Sequence, residues 1–242
     1  MFRKRCLFVL FVIFAVKPLS LHAFETGALS GRVIDGFGEQ ISFADVAITS
    51  GGSISKITTD SSGNFSVFYS PGDIKLTIKK KGYVPAEQFY MIEEGNDLNL
   101  GDIVIWRIPP SGGLFVVGPD DYIKINDAEY YVENIKKEKH YYVKGSPTVI
   151  KGQDLRIIDF QTDNPLVMGK TLYRVDSGDS LGSIVFYPSQ RYLFNKEDDT
   201  YVRIADNVGM RKIRLSPGRY FYCLGQITIR SRIGFGFFFE VR

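Results

Sequence analysis

Histidine, cysteine and tryptophan are scarce in these 242 residues: two His, two Cys and one Trp. Two thiols are too few for a disulfide scaffold. Two imidazoles leave little room for zinc chemistry, which draws on about three protein ligands with His prominent among them. There is no Gly-x-x-x-x-Gly-Lys phosphate loop and no His-Glu-x-x-His. Gly234-Phe235-Gly236 lacks the following helix that a dinucleotide site needs. No segment carries a sustained three-four apolar spacing, so helices are not expected. The balance of 44% hydrophobic and 24% charged residues is that of a globular chain, neither wholly disordered nor a multi-span membrane protein. The length suits one large domain or two small ones.

The one long apolar run is Cys6–Val16, preceded by Arg3, Lys4 and Arg5 and closed by Lys17-Pro18. Eleven apolar residues fall short of the ~20 that span a bilayer. A basic start, a short apolar centre and Ala23 at the exit predict a secretory signal peptide over residues 1–23. An uncleaved anchor is the alternative. Removing that segment takes four basic residues and no acid, leaving 26 basic against 27 acidic side chains, a net charge of −1 instead of +3. A general pull toward nucleic acid then loses its basis. Cys6 and His22 also leave, so Cys223 and His140 are the remaining thiol and imidazole. Cys223 sits in the apolar stretch Arg-Tyr-Phe-Tyr-Cys-Leu and is expected to be buried and inert.

Beyond the signal the chain reads as all-β. In Asp73–Lys79, Ile74, Leu76 and Ile78 alternate with Lys75, Thr77 and Lys79, the period of a half-buried strand. Ala44–Ile48 and Phe65–Tyr69 read likewise. Turn signals separate them at Asp35-Gly36, Gly51-Gly52, Ser62-Gly63-Asn64, Ser70-Pro71-Gly72 and Gly95-Asn96-Asp97. Strands spaced in this way argue for a sandwich. The two prolines and two glycines of Ile108-Pro-Pro-Ser-Gly-Gly113 predict a linker over 108–113. Residues 114–242 carry twelve further short strands, including Leu155–Phe160, Arg211–Leu215, Arg219–Leu224, Gln226–Arg232 and Phe235–Val241. They predict a second all-β domain, a sandwich or a barrel. Ser216-Pro217-Gly218 reads as a hairpin turn joining Arg211–Leu215 to Arg219–Leu224. The Phe-rich end would be an aggregation-prone edge if exposed, so it is expected to be buried.

An ordered series of residues carries a resemblance. Gly31-Arg32-Val33-Ile34-Asp35, Gly38, Ala44–Ile48, Thr59-Asp60-Ser61-Ser62-Gly63-Asn64-Phe65, Pro71-Gly72 and Lys81-Gly82-Tyr83 follow in turn. Over about residues 28–106 this resembles the carboxypeptidase regulatory-like domain, a transthyretin-like (prealbumin-like) sandwich of seven strands. The resemblance implies a unit spanning 24–107 whose shared residues are framework. In such relatives the domain is an appendage to a zinc carboxypeptidase, an outer-membrane receptor or a surface protein. It therefore implies an accessory role in stability or contact, and no catalytic residue is carried over. No zinc-peptidase motif accompanies it in this sequence. The physics of the pieces stands without the family. Asp60 can hydrogen-bond its own backbone, and Gly63 supplies a positive φ.

Candidate chemistry is thin. His140 would have to serve any Ser-His-Asp or Cys-His arrangement. Asp120-Asp121 and Glu197-Asp198-Asp199 read as solvated loops, with weak calcium binding or a two-carboxylate glycosidase site as the sharper alternatives. Lys79-Lys80-Lys81 and Lys136, Lys137 and Lys139 read as solvated turns. Trp106 reads as a strand-end anchor beside the linker. One cationic pattern is sharper: Lys212 and Arg214 alternate with Ile213 and Leu215, and Arg230 and Arg232 with Ile229 and Ile233. If those strands are neighbours, four cations line one face near Tyr220 and Tyr222, suited to an anionic glycan or lipid headgroup; the alternative is an ordinary wet sheet face.

The expectation is a non-catalytic, exported accessory protein, periplasmic or extracellular, without cofactor or metal. Its partners would be an envelope protein or a carbohydrate, not nucleic acid, with no membrane span after signal cleavage. The alternatives are an envelope assembly or structural subunit pairing through an edge strand, in particular its Phe-rich last strand, and a carboxylate-dependent glycan hydrolase.

Overall fold

The computed structural model describes residues 27–69, 71–93, 96–135, 138–160, 171–175, 184–185, 191–193, 201–205, 208–223 and 233–242. Among them there is no helix, and every named element is a strand. The first seven are β1 (Gly27–Asp35), β2 (Asp45–Ser50), β3 (Ser53–Thr58), β4 (Asn64–Tyr69), β5 (Gly72–Lys79), β6 (Ala86–Ile92) and β7 (Leu98–Ile105). They form two sheets, β4-β1-β7 and β3-β2-β5-β6, with only the β1–β7 pair parallel.

The alternation in β5 does what its period dictates. Ile74, Leu76 and Ile78 are buried against Leu29, Val33, Val46, Ile48, Phe65, Ile103 and Ile105. The turn before β4 is built by Asp60, whose carboxylate accepts the N–H groups of Ser62 and Asn64 at 2.8 Å each. Those hydrogen bonds hold its pKa below the ordinary range, because they favour the charged form. Gly63 stands at φ +80°, and a Cβ there would meet the Val33 carbonyl at 2.6 Å. Buried Thr59 fastens the neighbouring loop: its hydroxyl donates to Ile41 O at 2.7 Å and accepts from Ala44 N at 2.9 Å.

The rest of the chain supplies β8 (Gly113–Val117), β9 (Tyr122–Lys124), β10 (Asn126–Ile135), β11 (Glu138–Lys144), β12 (Thr148–Ile150), β13 (Asp154–Phe160) and β14 (Thr171–Val175). It continues with β15 (Ile184–Val185), β16 (Arg191–Leu193), β17 (Tyr201–Ala205), β18 (Val208–Arg214), β19 (Gly218–Cys223) and β20 (Ile233–Val241). One sheet runs β15-β11-β10-β20-β19-β14-β16, with β12 beside β20; the other runs β17-β18-β13-β8-β9. Between them Leu114, Val116, Leu155, Ile157 and Leu215 of the smaller sheet's side pack with Leu172, Tyr220, Tyr222, Phe237, Phe239 and Val241 of the larger. The second part is therefore a sandwich and not a barrel.

The Phe-rich end is buried on both faces: Phe237 and Phe239 point into the inter-sheet core, and Phe238 joins Tyr130, Val143, Tyr173, Phe221 and Cys223 on the other side. That is why the run does not alternate with polar residues. Phe235 alone stays exposed. β20 is flanked by β19 on one side and by β10 and β12 on the other, so it is an interior strand.

One expected hairpin does not form. β18 and β19 belong to different sheets, and Ser216-Pro217-Gly218 carries the chain across the sandwich. Leu215 and Tyr220 both enter the inter-sheet core from opposite walls. The crossing is tied by Leu215 N to Gln153 O at 2.9 Å and by the Tyr220 hydroxyl donating to Ser216 O at 2.8 Å. Short β12 and β16 were not expected from the sequence, and the expected strand Gln226–Arg232 lies outside the described residues.

A fourth apolar cluster joins the two halves. Val84, Trp106 and Phe37 pack with Phe115, Val117, Tyr122, Ile158, Phe160, Val208 and Met210. Trp106 is 6% exposed. The Phe37 and Tyr122 rings meet edge to face at 5.0 Å across the junction. The expected linker is held at both ends. Ile108 N donates to Gly82 O at 2.8 Å, the Tyr122 hydroxyl donates to Arg107 O at 2.8 Å, and Gly113 already belongs to β8. The smaller sheet of the second half is thus covered on one face by the larger sheet and on the other by the first half.

Candidate functional site: a crevice at the junction

The even-numbered residues of β13 and β18 share one face, since Asp154 pairs with Arg214, Arg156 with Lys212 and Ile158 with Met210. At one end of that face Ile158, Phe160, Val208 and Met210 are buried against Trp106 and Val84. At the other end the packing stops and the side chains are charged. A crevice of about 620 Å³ opens there. Ile34 of β1, Glu87 of β6, Asp102 and Val104 of β7, and Trp106 line it from the first half. Ile204, Met210, Arg156 and Lys212 line it from the second. Gly36 also lines it and lies close against the Trp106 ring, which a Cβ there would approach within 2.2 Å.

The acids of the crevice are all committed within the first half. Asp35, fully buried at its side chain, accepts from Phe37 N and Glu39 N at 2.9 Å and is paired with Arg107 at 2.8 Å. That contact raises the Arg107 pKa above its ordinary value. Asp102 takes both arms of Arg32 at 2.7 and 2.9 Å, which lowers the Asp102 pKa. Glu87 is paired with Lys75 at 2.9 Å. The cations of the opposite wall differ: Arg156 and Lys212 are exposed, stand directly opposite each other, and have no ion-pair or hydrogen-bond partner among the described residues. The next pair along, Arg214 and Asp154, is complementary at 3.7 Å, with both side chains 77% exposed.

Of the four cations expected to share a face, Lys212 lines the crevice and Arg214 lies just beyond it. Arg230 and Arg232 lie outside the described residues. Tyr220 and Tyr222, expected beside that face, are instead buried in the inter-sheet core on the other sheet, a direct consequence of the chain crossing at Pro217. Arg156 was missed. Its signal was present, a cation between Leu155 and Ile157, but which strand neighbours β18 is a non-local fact.

The remaining candidates fall elsewhere. Cys223 is buried, and burial pushes its pKa up to about 11. His140 lies on β11 opposite Glu133, with β10 and β20 between its strand and that of Cys223. With strands about 4.8 Å apart and residues rising about 3.3 Å, the two backbones are roughly 20 Å apart, beyond any dyad. Asp120 and Asp121 form an exposed turn in which the Asp121 carboxylate accepts from Tyr122 N. Lys80 donates to Ser42 O at 2.8 Å, a structural tie. Glu197–Asp199, Lys136 and Lys137 lie outside the described residues. Among the described residues no three His, Cys, Asp or Glu side chains are grouped to hold a metal ion.

Residues 28–105 match the family model of the carboxypeptidase regulatory-like domain, in agreement with the resemblance carried by the motif series. No curated protein matches the chain. Among solved structures the chain is similar to the Bacillus anthracis TIE protein, at 13% identity over 90% of this chain and 48% of that one, with a TM-score of 0.31. It is also similar to a DUF3823 family protein from Bacteroides ovatus, at 12% identity over 89% of this chain and 98% of that one, TM-score 0.28. A streptococcal ancillary pilin is similar at 9% identity over 90% and 59%, TM-score 0.29. The chain spans about half the length of the first of these.

Proposed function

We propose that this chain is a non-catalytic accessory protein, exported to the periplasm or cell surface, that makes contacts with an envelope protein or carbohydrate. It works as two β-units, 24–107 and 114–242, fixed to each other at the junction. One observation carries the reading: the carboxylates of the junction crevice, Asp35, Asp102 and Glu87, each hold a basic side chain of their own half. A hydrolase of the two-carboxylate kind needs one acid poised to donate a proton and a second facing the same bond. Asp102, gripped by both arms of Arg32, is held in the ionised form and is a poor proton donor. The regulatory-like match over 28–105 and the signal-like start support an exported accessory module.

The test is turnover. The mature form, beginning after Ala23, is incubated with acidic and neutral polysaccharides and with unfolded polypeptide, and products are followed by mass spectrometry. Intact substrates are expected at all times. Steady release of a defined fragment, lost in Asp102→Asn or Glu87→Gln, overturns it in favour of a hydrolase.

A further inference from the structure

We infer that the junction crevice binds an extended acidic polypeptide segment, with its carboxylates held between Arg156 and Lys212. The inference rests on the accessory-contact reading and names the partner chemistry of that contact. Arg156 and Lys212 are direct cross-strand partners on an antiparallel pair. Like charges in that position repel and destabilise the sheet. The neighbouring pair Asp154–Arg214 resolves its charges internally. So do the crevice's acids, with Arg32, Lys75 and Arg107. Among the described residues the two charges left without a partner in the crevice are therefore both positive and adjacent, and a carboxylate between them relieves the repulsion.

The other lining decides between anionic polymers. Ile34, Val104, Ile204 and Met210 give the crevice an apolar strip beside the cations. Trp106, the aromatic residue that lines it, is buried to 6% exposure by the junction, so no ring face is offered for a sugar to stack on. Carboxylates on one side and apolar groups on the other are what an extended chain of alternating acidic and apolar residues presents, because its side chains alternate at period two. An acidic glycan supplies the charge without the apolar side.

The probe is a soluble (Glu-Val)6 peptide, with polygalacturonate as the glycan comparison, titrated calorimetrically into the mature form. Wild type, the charge-reversed Arg156→Glu/Lys212→Glu and the control Lys144→Glu on distant β11 are compared, each first checked for an unchanged thermal transition. The expected result is peptide binding that weakens as salt rises and falls about tenfold or more in the double variant but not in the control. Equal or tighter binding of polygalacturonate overturns the polypeptide assignment. Peptide binding that survives the reversal, or no binding at all, overturns the site. Mass spectrometry of each probe after the titration separates the two readings: a cleaved probe sinks the non-catalytic function, whereas an intact, unbound probe sinks only the crevice.

Discussion

Trp106→Ala is the sharpest perturbation of the junction. The side chain lies in a cluster with Val84 and Phe37 on one side and Phe115, Ile158, Phe160 and Met210 on the other. An aromatic of this size buries about 200 Å², which at about 25 cal/mol per Å² amounts to about 5 kcal/mol. Large-to-small series place Trp→Ala at about 3–5 kcal/mol, the spread reflecting how far the cavity collapses. Against a total stability of about 5–15 kcal/mol for a folded domain, that is a large fraction. The assay is urea unfolding followed by far-UV circular dichroism. The expected outcome is a single transition for the wild type and, in the variant, a loss of about 3–5 kcal/mol with a transition that broadens or splits as the halves uncouple. A loss under about 1 kcal/mol, a value typical of surface substitutions and not of a buried ring, with the transition's shape unchanged, would refute the shared core.

Gly36→Ala approaches the same junction from the other side. Its Cβ would lie 2.2 Å from the Trp106 ring, so overpacking of about 1–3 kcal/mol is expected in the same urea assay; a neutral outcome would mean that the ring is not seated there. Cys223, with its thiol pushed up to about 11, is expected to react with iodoacetamide at pH 8 at least about a hundredfold more slowly in the native protein than in denaturant, since the thiolate is the nucleophile; peptide mapping reads the rate, and comparable rates would contradict burial. Asp60, lowered by the N–H groups of Ser62 and Asn64, is expected to titrate below the ~3.9 of an ordinary aspartate in a carboxyl NMR titration. Because its folded pKa is depressed, its contribution to stability is present above the unfolded pKa and is lost as pH falls through the folded one. Asp60→Ala should therefore narrow the stability gap to wild type only below about pH 4, and a gap that is flat through that range would remove the carboxylate from the turn.

The local features were legible because they need only neighbouring residues. The alternation of Ile74, Leu76 and Ile78 fixes a face, and Asp60 with Gly63 fixes a turn, whatever the rest of the chain does. Placement of Trp106 as a strand-end anchor and burial of Cys223 and the Phe-rich end were legible in the same way. The misreading at Ser216-Pro217-Gly218 has a physical cause. Proline and glycine mark a change of direction but do not say whether the next strand returns to the same sheet or crosses to the facing one. That choice is made by Leu215 and Tyr220, which fill one core from opposite sides. The same non-locality hid Arg156, whose charge acquires meaning only when β13 is known to pair with β18. β12 and β16, at three residues each, are too short for periodicity to register.

Electrostatic complementarity in the crevice is tested by a swap of charge. Binding of (Glu-Val)6 and (Lys-Val)6 is measured side by side for the wild type and for Arg156→Glu/Lys212→Glu. The wild type is expected to take the acidic peptide and refuse the basic one, and the reversed variant to do the opposite. Retention of the acidic peptide by both proteins would contradict the account.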